Sequence, residues 1–276
     1  MSALHVDHVC RAVLSFITRL SEGARRLFLR GVAELVKRND VAALYHYATM
    51  IEEHAYMDSP DTAWPGFFKQ YDCLEHVELP EPPGQSGVDV FSAIRMRKSR
   101  RSYSSEPLDL HEVSAILYYA VGIRGWDGSW PLRVYPSAGG LQPVEVYLAV
   151  DRIDGAECGL YHYNPLNHSL CLLRNGRYMN TLSVIALGQD HVAEAPAALV
   201  ITAVYSRTAS KYAARSYRYV HLDAGTVVQN VYLAAEAMGL ATVVVGAFYD
   251  EKLCRLLGID CYNEIPVAIM PIGKRL

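Results

Sequence analysis

The chain has 276 residues, with 26 Lys and Arg against 29 Asp and Glu, a formal net charge of −3, and 51 % hydrophobic against 20 % charged residues. That balance excludes intrinsic disorder, which pairs low hydrophobicity with high net charge, and it speaks against bulk nucleic-acid binding. The longest apolar run spans 195–205, short of the about 20 residues a membrane-crossing helix needs.

The N-terminal residues are interrupted by His5, Asp7, His8 and Arg11 and do not read as a signal peptide. A soluble, cytoplasmic chain is expected. Over the first forty residues Val9, Val13, Phe16, Ile17 and Leu20, then Phe28, Val32, Leu35 and Val36, fall on helical faces and predict two antiparallel helices. Residues 58–88 are punctuated by Pro60, Pro65, Pro80, Pro82, Pro83, Gly84 and Gly87, which predicts an irregular connection. A boundary near 88 then divides a helical extension and linker, 1–88, from the main domain, 89–276.

A short helix is predicted to begin at Asp89. Asp109 and Glu112 form a capping-box pattern before Ile116, Leu117 and Ala120, with a stop at Gly122. Val144 to Val150 reads as a strand. Gly159 to Tyr163 and Ser169 to Leu173 flank Asn164-Pro165-Leu166-Asn167, a hairpin pattern. Ala197 to Tyr205 reads as a buried strand, Asp223 to Met238 as a helix closed by Gly239, and Thr242 to Val245 and Pro266 to Ile272 as strands. Interleaved helices and strands with a hairpin predict an α+β fold, a mixed sheet wrapped by helices.

The six cysteines, Cys10, Cys73, Cys158, Cys171, Cys254 and Cys261, show neither C-x-x-C nor zinc spacing, so no metal site is expected and inert thiols are. Cys158 and Cys171 flank the hairpin and could face each other.

Four clusters can carry chemistry. In Arg97-Lys98-Ser99-Arg100-Arg101, an extended chain turns Arg97, Ser99 and Arg101 to one side, two guanidinium groups and a hydroxyl suited to a phosphate and its polar chain. A solvated basic run is the competing reading. Pro136-Ser137-Ala138-Gly139 opens a loop whose small residues admit a flat or anionic ligand close to the backbone. An ordinary loop has the same composition, and the G-x-G-x-x-G spacing is absent. Lys211 and Tyr212 are adjacent ionisable groups that could move a proton. Their competing reading is a helix with Lys211 and Arg215 facing water. Gly246 and Ala247 end a strand and allow close backbone approach, or merely make a turn. Lys274 and Arg275 could join an anion site or solvate the terminus.

In order and spacing, Arg97-x-Ser99-x-Arg101-x-Tyr103, Pro136-Ser137-Ala138-Gly139, Lys211-Tyr212, Asp223-x-Gly225 with Gln229-Asn230, and Gly246 together resemble the nitroreductase-like FMN flavoproteins, and within them the SagB-type azoline dehydrogenase group. The resemblance spans about residues 90–276, and Tyr45-His46 resembles the upstream segment of that group. It implies a nitroreductase-like three-layer sandwich, an intertwined homodimer, and FMN at the dimer interface. It implies that Arg97, Ser99 and Arg101 hold the phosphate, ribityl chain and pyrimidine edge. Pro136, Ser137, Ala138 and Gly139 would reach the isoalloxazine from the other subunit, Gly246 and Ala247 would lie near N5, and Lys274 or Arg275 would complete the phosphate site. Lys211 and Tyr212 match the pair assigned catalytic roles in oxidising azolines to azoles, with dioxygen reoxidising the flavin. A small-molecule or peptide substrate and a cyclodehydratase partner follow from the same likeness. Two departures stand out: Gly140-Leu141-Gln142 replaces the usual Ala-Leu-Tyr, and Thr226 stands where His is common. Two other functions remain open, an NAD(P)H-dependent nitroreductase or flavin reductase, and a non-catalytic scaffold or peptide-binding protein.

Overall fold

A computed structural model describes residues 41–49 and 62–276. The two helices expected over the first forty residues lie outside them. The chain divides into two compact units, Met1–Tyr56 and Met57–Leu276. In the first, helix α1 (Val41–Ala48) carries Tyr45 and His46, and the Thr49 hydroxyl donates to the Tyr45 carbonyl at 2.8 Å.

The second unit is built on a seven-stranded sheet in the order β1 (Glu75–Glu78), β6 (Ser169–Asn175), β5 (Gly159–Asn164), β4 (Val144–Val150), β7 (Ala197–Val204), β9 (Glu264–Lys274), β8 (Leu240–Thr242). Every ladder in it is antiparallel, which corrects the expected mixed sheet. The reason lies in the return path. β7 opens at Ala197 opposite Val150, where β4 ends, and the Asp151 amide donates to the Pro196 carbonyl at 2.9 Å. A strand that starts beside the end of its neighbour must run against it.

Both faces of the central strands are apolar, so both need a helical layer. On one face Val144, Val146, Leu148 and Val150 pack against α3 (Leu110–Val121) and α7 (Ser216–Ala237) through Val113, Ile116, Leu117, Val227 and Val231. On the other, Tyr147, Ala149, Val200 and Ile269 meet α4 (Met179–Ile185), α5 (Asp190–Glu194) and α8 (Asp250–Leu257) through Leu182, Ile185, Val192, Leu253 and Leu257. The result is helix, sheet, helix in three layers. α3 begins where the capping box predicts: Asp109 Oδ1 accepts from the Glu112 amide at 2.8 Å, and Glu112 Oε2 accepts from the Asp109 amide at 2.9 Å. α2 (Val90–Met96) is capped by Asp89, which accepts from the Phe91 and Ser92 amides.

Three expectations shift. α7 starts at Ser216, not Asp223, because α6 (Tyr205–Tyr212) ends at Ala213, which turns at φ +46° and lets the chain restart. The strand expected over 242–245 is β8, ending at Thr242, with Val245 bridging Ile269. Within the irregular 58–88 stretch, β1 adds an edge strand. A separate hairpin, β2 (Ile123–Asp127) and β3 (Trp130–Arg133), was not foreseen.

Four cysteines also depart from the inert-thiol reading. Cys73 is bonded to Cys171 and Cys254 to Cys261, while Cys158 is free and donates to the Asp151 carbonyl at 3.1 Å. Cys171 faces Cys73 from the β6 side of the β1–β6 pair, not Cys158 across the hairpin. Among the described residues no helix is long and apolar enough to cross a membrane, and no His/Cys/Asp/Glu group could hold a metal ion.

Candidate active site

The basic cluster follows α2 as extended backbone. Arg100 turns inward and pairs with Glu236 of α7 at 2.6 Å, while its amide donates to the Thr242 carbonyl. Ser99 Oγ lies 2.9 Å from the Tyr232 hydroxyl, which accepts from the Val244 amide at 2.9 Å. The Arg97 guanidinium sits 4.9 Å over the Tyr232 ring. Arg97 and Arg101 have no ion pair among the described residues. One arginine of the run is therefore structural, and the other two are without an ion pair among the described residues.

Tyr232 thereby links this cluster to the end of β8. Gly246 and Ala247 follow there, both exposed, and a Cβ on Gly246 would meet nothing within 4 Å. Lys274 and Arg275, expected at the phosphate, are turned to carboxylates. Arg275 pairs with Glu236 at 2.9 Å and donates to the Leu240 carbonyl at 3.0 Å, and Lys274 lies 3.8 Å from Glu106 and 3.9 Å from Glu112. The Tyr103 hydroxyl is buried without a hydrogen-bond partner among the described residues, and burial pushes its phenol up.

The second group forms around the other end of α7. Asp223, buried in that helix, accepts from Ser137 Oγ at 2.7 Å and from the Ala138 amide at 3.1 Å, and Ser137 Oγ accepts from the Gln142 amide at 2.8 Å. Burial raises the Asp223 carboxyl, and these two donors oppose the rise. The clamp fixes Gly139 at φ +62°, where a Cβ would lie 2.7 Å from the Tyr212 hydroxyl and 3.2 Å from Lys211 Nζ. Pro136 is exposed at the loop's entry. Lys211 is exposed with Nζ 5.4 Å over the Tyr212 ring, and Tyr212 is braced edge-on by Tyr219 at 4.9 Å. Neither the ammonium nor the phenol has a hydrogen bond among the described residues. The loop and the pair, with Gly139 and Lys211 standing 72 positions apart in sequence, thus form one surface.

α6 holds that pair through Arg207, which the sequence reading passed over. Its guanidinium is buried, 2.6 Å from Glu145, and donates to the carbonyls of Gly66 at 2.7 Å and Gln142 at 3.1 Å. Glu145 also meets His162 Nε2 at 2.8 Å. Burial alone would raise the Glu145 carboxyl, but Arg207 and His162 outweigh it and hold its pKa at about 2. A buried arginine on a short polar helix gives no periodic signal of its own.

Asp223 and Tyr232 are nine residues apart on one unbroken helix, roughly 14 Å along the axis and on opposite sides of it at 3.6 residues per turn. Of the expected residues, Arg97 and Ser99 gather about Tyr232, with Gly246 and Ala247 just beyond the Val244 amide it accepts from, and Pro136–Gly139, Lys211 and Tyr212 gather about Asp223, while the charge of Arg101 acts on Tyr103 and His191.

An antiparallel sheet between two helical layers defines an α+β three-layer fold. The chain belongs to the Nitroreductase family, whose model matches residues 94–274. It is 42 % identical over 205 residues to "Putative nitroreductase MJ1384" of Methanocaldococcus jannaschii, covering 74 % of this chain and 98 % of that protein. It is 26 % identical to the Microcin B17-processing protein McbC of Escherichia coli, covering 72 % and 77 %. Among solved structures, a nitroreductase-type protein of Ralstonia eutropha superposes with a TM-score of 0.63 at 29 % identity, covering 79 % of this chain and 94 % of that one. A similar protein of Anabaena variabilis gives 0.68 at 26 %, and this chain spans 47 % of its length.

Proposed function

We propose that the chain is an FMN-dependent oxidoreductase of the SagB type, which oxidises an azoline or a similar C–N substrate, small or peptide-borne. The observation that carries this reading is the convergence of Lys211, Tyr212 and Gly139 on one surface, with both polar side chains free of hydrogen bonds among the described residues. A nitroreductase without this chemistry has no need of the pair.

The residues present fit FMN. Arg97 and Arg101, left unpaired, suit its phosphate, and Ser99 its polar chain. The open backbone at Gly246 and Ala247 and the clamped loop at Pro136–Gly139 suit a flat ring. When bound, FMN supplies the hydride acceptor, and the protein supplies geometry and proton transfer. Lys211 and Tyr212 act on the acidic carbon beside a carbonyl and an imine: one removes its proton, and the other orients it or holds the developing charge. Because the two groups lie on opposite sides of α7, a complete site takes one group from each of two copies, a homodimer. The likeness to a microcin-processing protein supports a peptide substrate, and the SagB-type reading adds a cyclodehydratase partner; the flavin-binding part is assigned to 89–276, with β1 and the Gly66 strap packed onto it.

The test is the visible spectrum of the purified protein, with the released chromophore identified. FMN near one per chain is expected, with azoline oxidation falling about 10²–10⁴-fold in Lys211→Ala and Tyr212→Phe while flavin is retained. A colourless protein that takes up no added FMN would overturn the reading and leave the scaffold function.

The 42 % identity to the Methanocaldococcus protein favours a second reading, an NAD(P)H-dependent nitroreductase or flavin reductase. Rapid bleaching of bound flavin by NADPH, with nitroaromatic turnover that survives Lys211→Ala, would select it.

A further inference from the structure

The chain has three tryptophans, Trp64, Trp126 and Trp130, and they gather in one place. Trp64 and Trp130 lie nearly parallel, 8° apart with centroids at 6.3 Å, and Phe67 closes the corner edge-on to both at 4.6 and 4.7 Å. Phe68 leads from there to Trp126 at 6.4 Å. Yet Trp64 is 43 % and Trp130 40 % exposed. Contiguous exposed aromatic surface marks a binding site more often than a plain surface.

The corner adjoins the Lys211–Tyr212 surface. Trp130 Nε1 donates to the Gly140 carbonyl at 3.1 Å, and a Cβ on Gly140 would meet that nitrogen at 2.9 Å. The preceding residue, Gly139, touches Tyr212 and Lys211. Two consecutive glycines are all that separates the pair from the indole. With its single donor committed, Trp130 has only its ring surface left to offer.

The strap that carries Trp64 and Phe67 has no regular structure, yet it is anchored three times. The Gly66 carbonyl accepts from buried Arg207, Lys69 pairs with buried Glu264 and meets the Tyr147 hydroxyl at 2.7 Å, and Cys73 is bonded to Cys171. Drawing ions out of water is costly, and an ordinary surface loop has no such anchors. The aromatic corner is preorganised.

We propose that the Trp64–Phe67–Trp130 corner binds the substrate's ring as it flattens into the conjugated azole, face-on to the indoles and beside Lys211 and Tyr212. The word substrate rests on the oxidoreductase reading above; the ring-binding corner does not. A flat conjugated ring stacks on indole, whereas a puckered saturated ring of the same size offers no matching face.

Intrinsic tryptophan fluorescence of the purified full chain reads this corner without any turnover. We expect 2-methylthiazole-4-carboxamide to quench it saturably, and thiazolidine-4-carboxamide, its saturated counterpart, to bind about tenfold more weakly or less. Trp130→Leu and, independently, Trp64→Leu should abolish saturation, whereas Trp126→Phe keeps it. In turnover, Trp64→Leu should raise KM more than it lowers kcat. Equal quenching by both rings, wild-type binding in both leucine variants, or a signal that follows protein rather than ligand concentration would overturn the proposal, the last by assigning the corner to contact between copies. Selective quenching in a protein without redox turnover would uphold the corner and sink the oxidoreductase reading; azoline turnover with unselective quenching would do the reverse.

Discussion

Arg207 and Glu145 pair at 2.6 Å with only 2 % of either side chain exposed. The contact ties α6, and with it Lys211 and Tyr212, to central strand β4. It also reaches the Gly66 strap and the Gln142 turn through two carbonyls, so one side chain sets the relative position of three segments.

Removing one partner of a buried pair strands the other, so Arg207→Ala should lose about 3–5 kcal/mol of stability, read as the shift in urea midpoint. The pH dependence has a definite sign. The Glu145 carboxyl falls from its ordinary 4.5 to about 2 on folding. Its contribution is complete above 4.5 and is lost as pH falls from there towards 2. Acid denaturation of Glu145→Gln should be shallower across that window.

Arg97 and Arg100 should separate cleanly. Arg100→Ala removes a 2.6 Å partner from Glu236 and should lower the melting temperature, the loss of a charged hydrogen bond amounting to roughly 1.5–3 kcal/mol. Arg97→Ala breaks no ion pair and should leave melting of the apo chain nearly unchanged while weakening FMN retention at least about tenfold, as for loss of a charge-assisted phosphate contact. Equal effects of the two variants on both measurements would refute the division.

Gly139→Ala places a Cβ 2.7 Å from the Tyr212 hydroxyl at a φ of +62°, a conformation that costs a residue with a Cβ about 1–2 kcal/mol. Azoline turnover should drop sharply. Because the added methyl meets the same hydroxyl that Tyr212→Phe removes, the double variant should be no slower than the worse single one. Additive losses would mean that the loop and the phenol act separately.

The bond between Cys73 and Cys171 closes 98 residues of sequence. Breaking it by Cys73→Ser should cost about 2–4 kcal/mol. Peptide mapping without reductant should recover the 73–171 and 254–261 pairs, with Cys158 alkylated as a free thiol.

Much of the core was legible because it is local. The Asp109–Glu112 box, the apolar runs of β4 and β7, and the Asn164–Asn167 turn each carry their signal within a few residues. The direction of β7 was not legible, since it depends on where α4 and α5 deliver the chain. The start of α7 was hidden because Tyr217, Tyr219 and Val220 favour strands as much as helices. Asp127-Gly128 was a hairpin signal that could have disclosed β2 and β3. In the site, Arg97 and Ser99 share Tyr232 while Arg100 turns to Glu236, as alternation along an extended chain leads one to expect. Glu236, Tyr232 and Arg207 carry no mark in the sequence, because what makes them matter is a partner distant along the chain.

In the proposed homodimer, with Asp223 on one side of α7 and Tyr232 on the other, two damaged copies should repair each other. A chain carrying Arg97→Ala still supplies Lys211, and a chain carrying Lys211→Ala still supplies Arg97. Unfolded together in equal amounts and refolded, two inactive preparations should yield about a quarter of the wild-type sites, since half the pairs are mixed and each mixed pair has one intact site of two. A single-chain site would recover nothing.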